Sequence, residues 1–296
     1  MPSKIIFTTE QENHICDLYK KHRSTRKVAN EANLSRDVIQ KILQKNKIEL
    51  ATNSEHSKLA CNSLFFTKLN NKSAYLLGFF IADGYISRPK VGGSMYIGVT
   101  IHKKDVEILN LFIKNISPQS KLVVDRNNLK FAVGDAVLAV SIAQYGINVL
   151  DKTMQLGRCL TLFEALKEKA LLSHFVRGFM DGDGCIHVHK KYPKGNSTLN
   201  FFGTIDFLSE LKSQINAELN ISAGSLKVDN REKYKTKDKF AYLTYTGSKM
   251  VVLIGTWLYK NKKEYYLKRK FDKFSDVLKA RKLRETRKKP NTKDLQ

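Results

Sequence analysis

Acidic side chains are in short supply in this chain, with 28 Asp and Glu against 52 Lys and Arg and a formal net charge of +24. That imbalance is the electrostatic footprint of a nucleic-acid binder, with phosphate as the counter-charge. Cysteine is scarcer: Cys16, Cys61, Cys159 and Cys185 lie scattered, with no C-x-x-C pair. This argues against a zinc site or disulfide frame and for reduced thiols. No run approaches the apolar length of a membrane span. The opening MPSKIIFTTEQEN lacks the apolar core and small-residue cleavage site of a secretory signal, so an intracellular protein is expected. The 296 residues, 42% of them hydrophobic, suffice for more than one domain with a real core.

A nine-residue pattern occurs twice: LLGFFIADG, Leu76 to Gly84, and VRGFMDGDG, Val176 to Gly184. Repetition at this separation implies two similar subdomains in one chain. Gly78 and Ala82 in the first copy, and Gly178 and Gly182 in the second, are small residues four apart on one helical face, which lets two helices lie backbone to backbone. Gly84 and Gly184 are expected in the left-handed conformation that closes a helix, placing Asp83 and Asp183 at helix C-termini. Backbone carbonyls are unpaired there, those of Ala82 and Gly182 among them, and carboxylate beside carbonyl is a hard oxygen site. The helix dipole makes that end more negative, which disfavours a structural acid but favours recruitment of a divalent cation such as Mg²⁺.

Residues 1–50 read as a separate all-α module. Thr8 and Thr9 can cap one helix, Ser24 a second through Val28 and Ala32, and Ser35 a third carrying Val38, Ile39 and Ile42. The short turn at Asn33 and Leu34 gives a helix-turn-helix pattern, with Arg36, Gln40, Lys41 and Gln44 on the polar side of the helix that would enter a major groove. Contact with another protein or with the rest of the chain is the alternative use of such a module. Residues 51–71 are polar and aperiodic, a linker.

Beyond them the chain falls into two halves, 72–160 and 161–275, with a basic tail at 276–296. In SMYIGVTIH, Met95, Ile97, Val99 and Ile101 alternate with Ser94, Tyr96, Thr100 and His102, marking a half-buried strand. DVEILNLFIKNI reads as a helix, KLVVD and LKFAV as a strand pair, and Asp135 to Tyr145 as a helix. CIHVHKK, STLNFFG, IDFLSELKSQINAEL, SLKVD, KFAYLTYT and SKMVVLIGTWLY repeat that order. Each half is therefore αββαββα, an α+β fold built on antiparallel sheets. After Asp183, Ile186 and Val188 alternate with Cys185, His187, His189 and Lys191. No third ligand accompanies the two histidines, so a polar face laid in a major groove is the better reading than zinc. Ser87, Tyr96, Thr100 and Lys130 are the corresponding candidates in the first half. Between Lys260 and Lys289, fourteen Lys or Arg stand against four acids, as a solvated helix or tail or as phosphate contacts.

The paired motifs resemble those of the LAGLIDADG homing endonucleases in their single-chain, two-motif form. The resemblance implies two pseudo-symmetric repeats whose sheets form a saddle over duplex DNA. It places the metal-binding acids at Asp83 and Asp183. Position six of the motif, Ile81 and then Asp181, is a departure that does not touch the metal site. A basic residue near each metal site is also implied, at Lys152 in GINVLDKT and at Lys268 or Lys270 in EYYLKRKFDKF. The implied activity is site-specific double-strand cleavage at a long non-palindromic target by a monomer, leaving short 3′ overhangs, in the service of intron homing. Mg²⁺ is the implied cofactor, with Mn²⁺ substituting and Ca²⁺ binding without supporting cleavage. An intron RNA-splicing maturase and a catalytically inactive DNA-binding regulator are the alternatives on the same fold.

Overall fold

The computed structural model describes residues 7–51, 61–87, 95–145, 160–188, 197–229 and 240–287. Met1–Cys61 and Asn62–Gln296 are two compact units.

The first unit holds α1 (Thr9–His22), α2 (Thr25–Glu31) and α3 (Arg36–Lys45). Each begins where a hydroxyl can replace a missing helical acceptor. Thr8 forms a full capping box with Gln11, and Ser24 and Ser35 accept from the amides of Lys27 and Val38. Ile15, Tyr19, Val28, Ile39 and Leu43 interlock as its core. Asn33, at φ 52°, makes the left-handed turn between α2 and α3 that an asparagine tolerates.

In the second unit the order αββαββα occurs twice, as the alternation in the sequence predicts. The first repeat comprises α4 (Asn71–Asp83), β1 (Gly84–Ser87), β2 (Tyr96–His102), α5 (Val106–Ile116), β3 (Val123–Asp125), β4 (Asn128–Gly134) and α6 (Ala136–Ala143). After α7 (Leu160–Glu168), which the sequence reading did not single out, the second repeat runs through α8 (Leu172–Asp183), β5 (Gly184–Val188) and β6 (Ser197–Thr204). It continues with α9 (Ile205–Leu219), β7 (Ser225–Val228), β8 (Phe240–Thr246) and α10 (Ser248–Tyr259). A basic helix, α11 (Lys268–Arg287), follows.

Both sheets are antiparallel, ordered β1-β2-β4-β3 and β5-β6-β8-β7. Strand alternation sorts the faces. Ile97, Val99, Phe131, Leu199, Phe201 and Leu243 are buried beneath the helices, each large apolar side chain contributing about 1.5–3 kcal/mol. The intervening residues lie on the opposite, more open face. Val188 is the exception to the expected pattern, 40% exposed at the end of β5 rather than in the core. Asp105, just before α5, takes a bidentate pair from Arg269 at 2.7 and 2.8 Å, fastening α11 to the first repeat. No helix among the described residues is long and apolar enough to cross a membrane.

Candidate active site

The two motif helices, α4 and α8, pack against each other through their glycines. A Cβ on Gly78 would collide with the Phe175 carbonyl and lie 2.9 Å from the Phe179 nitrogen; a Cβ on Gly178 would collide with the Tyr75 carbonyl and lie 2.9 Å from the Phe79 nitrogen. The reciprocity is that of a local two-fold, with each residue replaced by the one a hundred positions on. One turn later a Cβ on Gly182 would strike Ala82 and come within 3.1 Å of the Asp83 carboxylate. Asp83 therefore reaches over the end of the opposite helix, and both aspartates, half-buried, lie where the helices give way to β1 and β5.

Gly84 and Gly184 do not act as expected. They sit at φ −80° and −108° with ψ near 165°, extended rather than left-handed, so each helix passes straight into a strand. Glycine is needed because of crowding. A Cβ would press on the carbonyl oxygens of Phe80 and Met180, each 2.5 Å away, and on those residues' side chains.

Beneath Asp183 lies a buried polar cluster. Lys270, 4% exposed on α11, donates from Nζ to the carbonyl oxygens of Met180, Asp181 and Gly182 at 2.8, 2.6 and 2.9 Å, capping the C-terminus of α8. Burial pulls its pKa down to about 8, and the Asp181, Asp83 and Asp183 charges oppose that fall. Asp181 is fully buried. Its carboxylate accepts from the Tyr75 hydroxyl and the Leu267 amide, both at 2.8 Å. Burial raises it to about 6, against the pull of Lys270 and of these hydrogen bonds. One helical turn back, Arg177 is 1% exposed, donates to the carbonyls of Tyr265 and Leu258, and lies 5.4 Å from the Tyr75 ring centroid. Its Nη2 meets His174 Nδ1 at 2.8 Å.

This cluster corrects two expectations. Lys268 is 73% exposed and pairs with Asp272 at 2.7 Å, so Lys270 is the basic residue that reaches the motif. The Gly182 carbonyl is not unpaired, since Lys270 occupies one of its lone pairs. Asp181 does not bear on the aspartate pair directly, yet it balances the lysine that caps the helix end. Its signal was legible as an acid inside a run of apolar residues, a position that demands partners.

The donor set fits a hard divalent cation. It consists of oxygen only, from two carboxylates and the neighbouring carbonyls. Among the described residues no three His, Cys, Asp or Glu side chains cluster, so the two aspartates with backbone oxygen and water would have to suffice.

On the open face of the first sheet, Thr100 stands opposite Lys130 and Ser87 opposite Tyr96. Lys130 Nζ lies 5.5 Å from the Tyr85 ring centroid and 5.9 Å from that of Tyr96. His187 is exposed on β5 opposite Thr198. The second sheet also carries a polar group not anticipated from the sequence. Thr244 donates to Asn200 Oδ1 at 2.7 Å, while Asn200 donates to Thr198 at 3.3 Å. Lys152, His189 and Lys191 lie outside the described residues. In the first unit Arg36 and Lys41 are exposed and Gln40 is half-buried; Arg36 donates to the Thr25 hydroxyl at 3.1 Å.

No family model matches the chain, and no curated protein matches it in sequence. Among solved structures it is similar to the I-SmaMI LAGLIDADG homing endonuclease bound to cleaved DNA, at 14% identity and TM-score 0.50 over 74% of this chain and 91% of that one. The chain has the LAGLIDADG endonuclease fold. The I-AabMI meganuclease bound to uncleaved DNA (14% identity, TM-score 0.49, 74% and 93% covered) and I-LtrWI bound to target DNA (15%, 0.46, 76% and 92%) are similar as well. In the LAGLIDADG frame, Asp83 and Asp183 are the equivalent ends of the two central helices.

Proposed function

We propose that this protein is a site-specific double-strand DNA endonuclease of the homing type, acting as a monomer on a long non-palindromic site and leaving short 3′ overhangs. The observation that carries the reading is the placement of Asp83 and Asp183 at the adjoining ends of two helices whose backbones meet at Gly78 and Gly178. Two half-buried acids at negative helix ends favour the arrival of a divalent cation. A divalent cation such as Mg²⁺, held by Asp83, Asp183, the Ala82 carbonyl and water, would supply a polarised water and offset charge on the scissile phosphate.

The chain's own residues do the positioning. Lys270 fixes the last turn of α8, and with it the Asp183 carboxylate, through three carbonyl contacts. It also adds a positive charge that both aspartates feel. The open sheet faces would read DNA, and the register supports two half-sites that differ. Counting from Gly84↔Val99 and Gly184↔Phe201, Tyr85 corresponds to Cys185, Ser87 to His187, Tyr96 to Thr198, Thr100 to Phe202 and Lys130 to Tyr242. No such pair matches, so the two sheets would present different donors and acceptors to the major groove. Arg36, Gln40 and the rest of α3 extend the contact to one flank as an accessory reader.

The test is incubation of the purified protein with a randomised duplex library and Mg²⁺, followed by sequencing of the cut ends. One long asymmetric motif with staggered 3′ ends is expected. Intact DNA under all divalent cations, with binding retained, would move the protein to a regulator on this fold.

A further inference from the structure

The motif helices have a second end. Α4 spans 13 residues, so its N-terminus lies roughly 18 Å from Asp83 at 1.5 Å per residue. A cavity of about 360 Å³ opens there, lined by Lys72, Lys262, Lys263, His174 and Tyr265 together with Asn70, Asn71 and Asn261. Among the described residues no carboxylate lines it. Glu264, next in the chain after Lys263, pairs with Lys114 at 3.0 Å and also feels the charge of Lys72. Lys262 is half-buried with Nζ 4.1 Å from the Tyr266 ring centroid and 4.5 Å from that of Phe271, its charge supported by aromatic faces.

We propose that this cavity binds a small phosphate-bearing anion. At about 360 Å³ it lies at the lower end of the range of small-ligand sites, room for a phosphate and a short substituent. The donors are side chains rather than helix amides, because Asn70 Oδ1 already accepts from the amides of Lys72 and Ser73. The ammonium groups of Lys72 and Lys263, with three carboxamides, suit a multiply charged oxyanion better than a carboxylate. His174 completes the set. It is 5% exposed, and its Nδ1 faces the guanidinium of Arg177, which can only donate. The neutral ring therefore keeps its proton on Nε2, a further donor. Burial, Arg177 and Lys263 together hold His174 at a pKa of about 4, and an anion in the cavity would oppose the two cations. The corresponding position of the first motif helix is Ala74, so the site belongs to one repeat only.

The cavity is tested by NMR on the full chain without DNA, so the result stands whatever becomes of the nuclease reading. The His174 ring signal, assigned by its loss in His174→Gln, is followed at constant ionic strength while inorganic phosphate or pyrophosphate replaces chloride. The expected result is a saturable shift, with the His174 titration midpoint moving up by about one unit. Lys72→Gln and Lys263→Gln, both exposed positions, should each weaken phosphate binding several-fold, and together by about tenfold, equivalent to 1.4 kcal/mol. A non-saturating drift equal to that in chloride, or unchanged affinity in the double variant, would overturn the site. A shift produced by single-stranded RNA but by neither phosphate salt would overturn the small-anion assignment in favour of a nucleic-acid backbone.

Discussion

Gly178→Ala is the sharpest perturbation of the helix pair on which the aspartates stand. The new Cβ would sit 2.9 Å from the backbone nitrogen of Phe79 and closer still to the Tyr75 carbonyl, neither of which can rotate aside. Relief requires the two helices to separate by about 0.5 Å or more, a gap that forfeits a quarter to a half of each dispersion contact across the seam. Overpacking of this kind costs about 3 kcal/mol, and the better helix propensity of alanine returns about 1 kcal/mol at most. We expect a net loss of about 2–3 kcal/mol.

Trp257, the single tryptophan, lies on α10 of the second unit, so its fluorescence in a denaturant titration reports that unit without interference from the first. At about 2–4 °C per kcal/mol for a domain of this size, the melting temperature should fall by about 4–12 °C. Gly78→Ala should behave alike, because its Cβ meets the mirror-image contacts. The double variant should cost at least about 1 kcal/mol less than the sum, since helices already parted for one methyl accommodate the other. A change below about 1 kcal/mol, or strict additivity, would refute the claim that the backbones are in contact.

Duplex binding should weaken by about 10³-fold or more between 50 and 200 mM salt, as phosphate-bound counterions are released; an affinity flat over that range, measured by fluorescence anisotropy, would exclude DNA as the partner of this +24 chain. A chain beginning at Asn62, the start of the second compact unit, should fold and cut at high concentration while its footprint shortens at one flank. An unchanged footprint would remove residues 7–51 from DNA reading. His174, held at about 4 against an ordinary 6.5, stays neutral in the folded chain while the unfolded chain takes up a proton. It therefore costs stability as pH falls through that window, by up to about 1.4 kcal/mol per unit. Asp181, raised to about 6, acts in the opposite sense below pH 6, so the informative quantity is the difference from His174→Gln. That variant should lose less stability than the parent between pH 6.5 and 4, and parallel curves would contradict the assignment.

Much of this architecture was legible because its signals are local. Strand alternation at Ile97, Val99 and Ile101, and the hydroxyl caps at Thr8, Ser24 and Ser35, depend on neighbours within a few residues. The aspartate pair was legible because the motif is written twice. What failed depended on contacts across the chain. In Lys268-Arg269-Lys270 three cations stand in a row, and sequence offers no way to tell which faces α8. The structure sends Lys268 to Asp272, Arg269 to Asp105 and Lys270 to the helix end. Gly84 and Gly184 carried the usual mark of a left-handed cap, but the reason for them is the approach of Phe80 and Met180. Asp181 seemed incidental until Tyr75, Leu267 and Lys270, distant in sequence, closed around it.

Under the proposed function, Asp83 and Asp183 hold the metal that cuts DNA and contribute little to holding the DNA itself. Asp83→Asn and Asp183→Asn, each nearly isosteric with the parent, test it directly on the site recovered from the library. Both variants should bind that duplex in Ca²⁺ within a few-fold of the parent and yield no double-strand break in Mg²⁺ or Mn²⁺. Cleavage by either variant at the parent rate would contradict the assignment, whatever the fold.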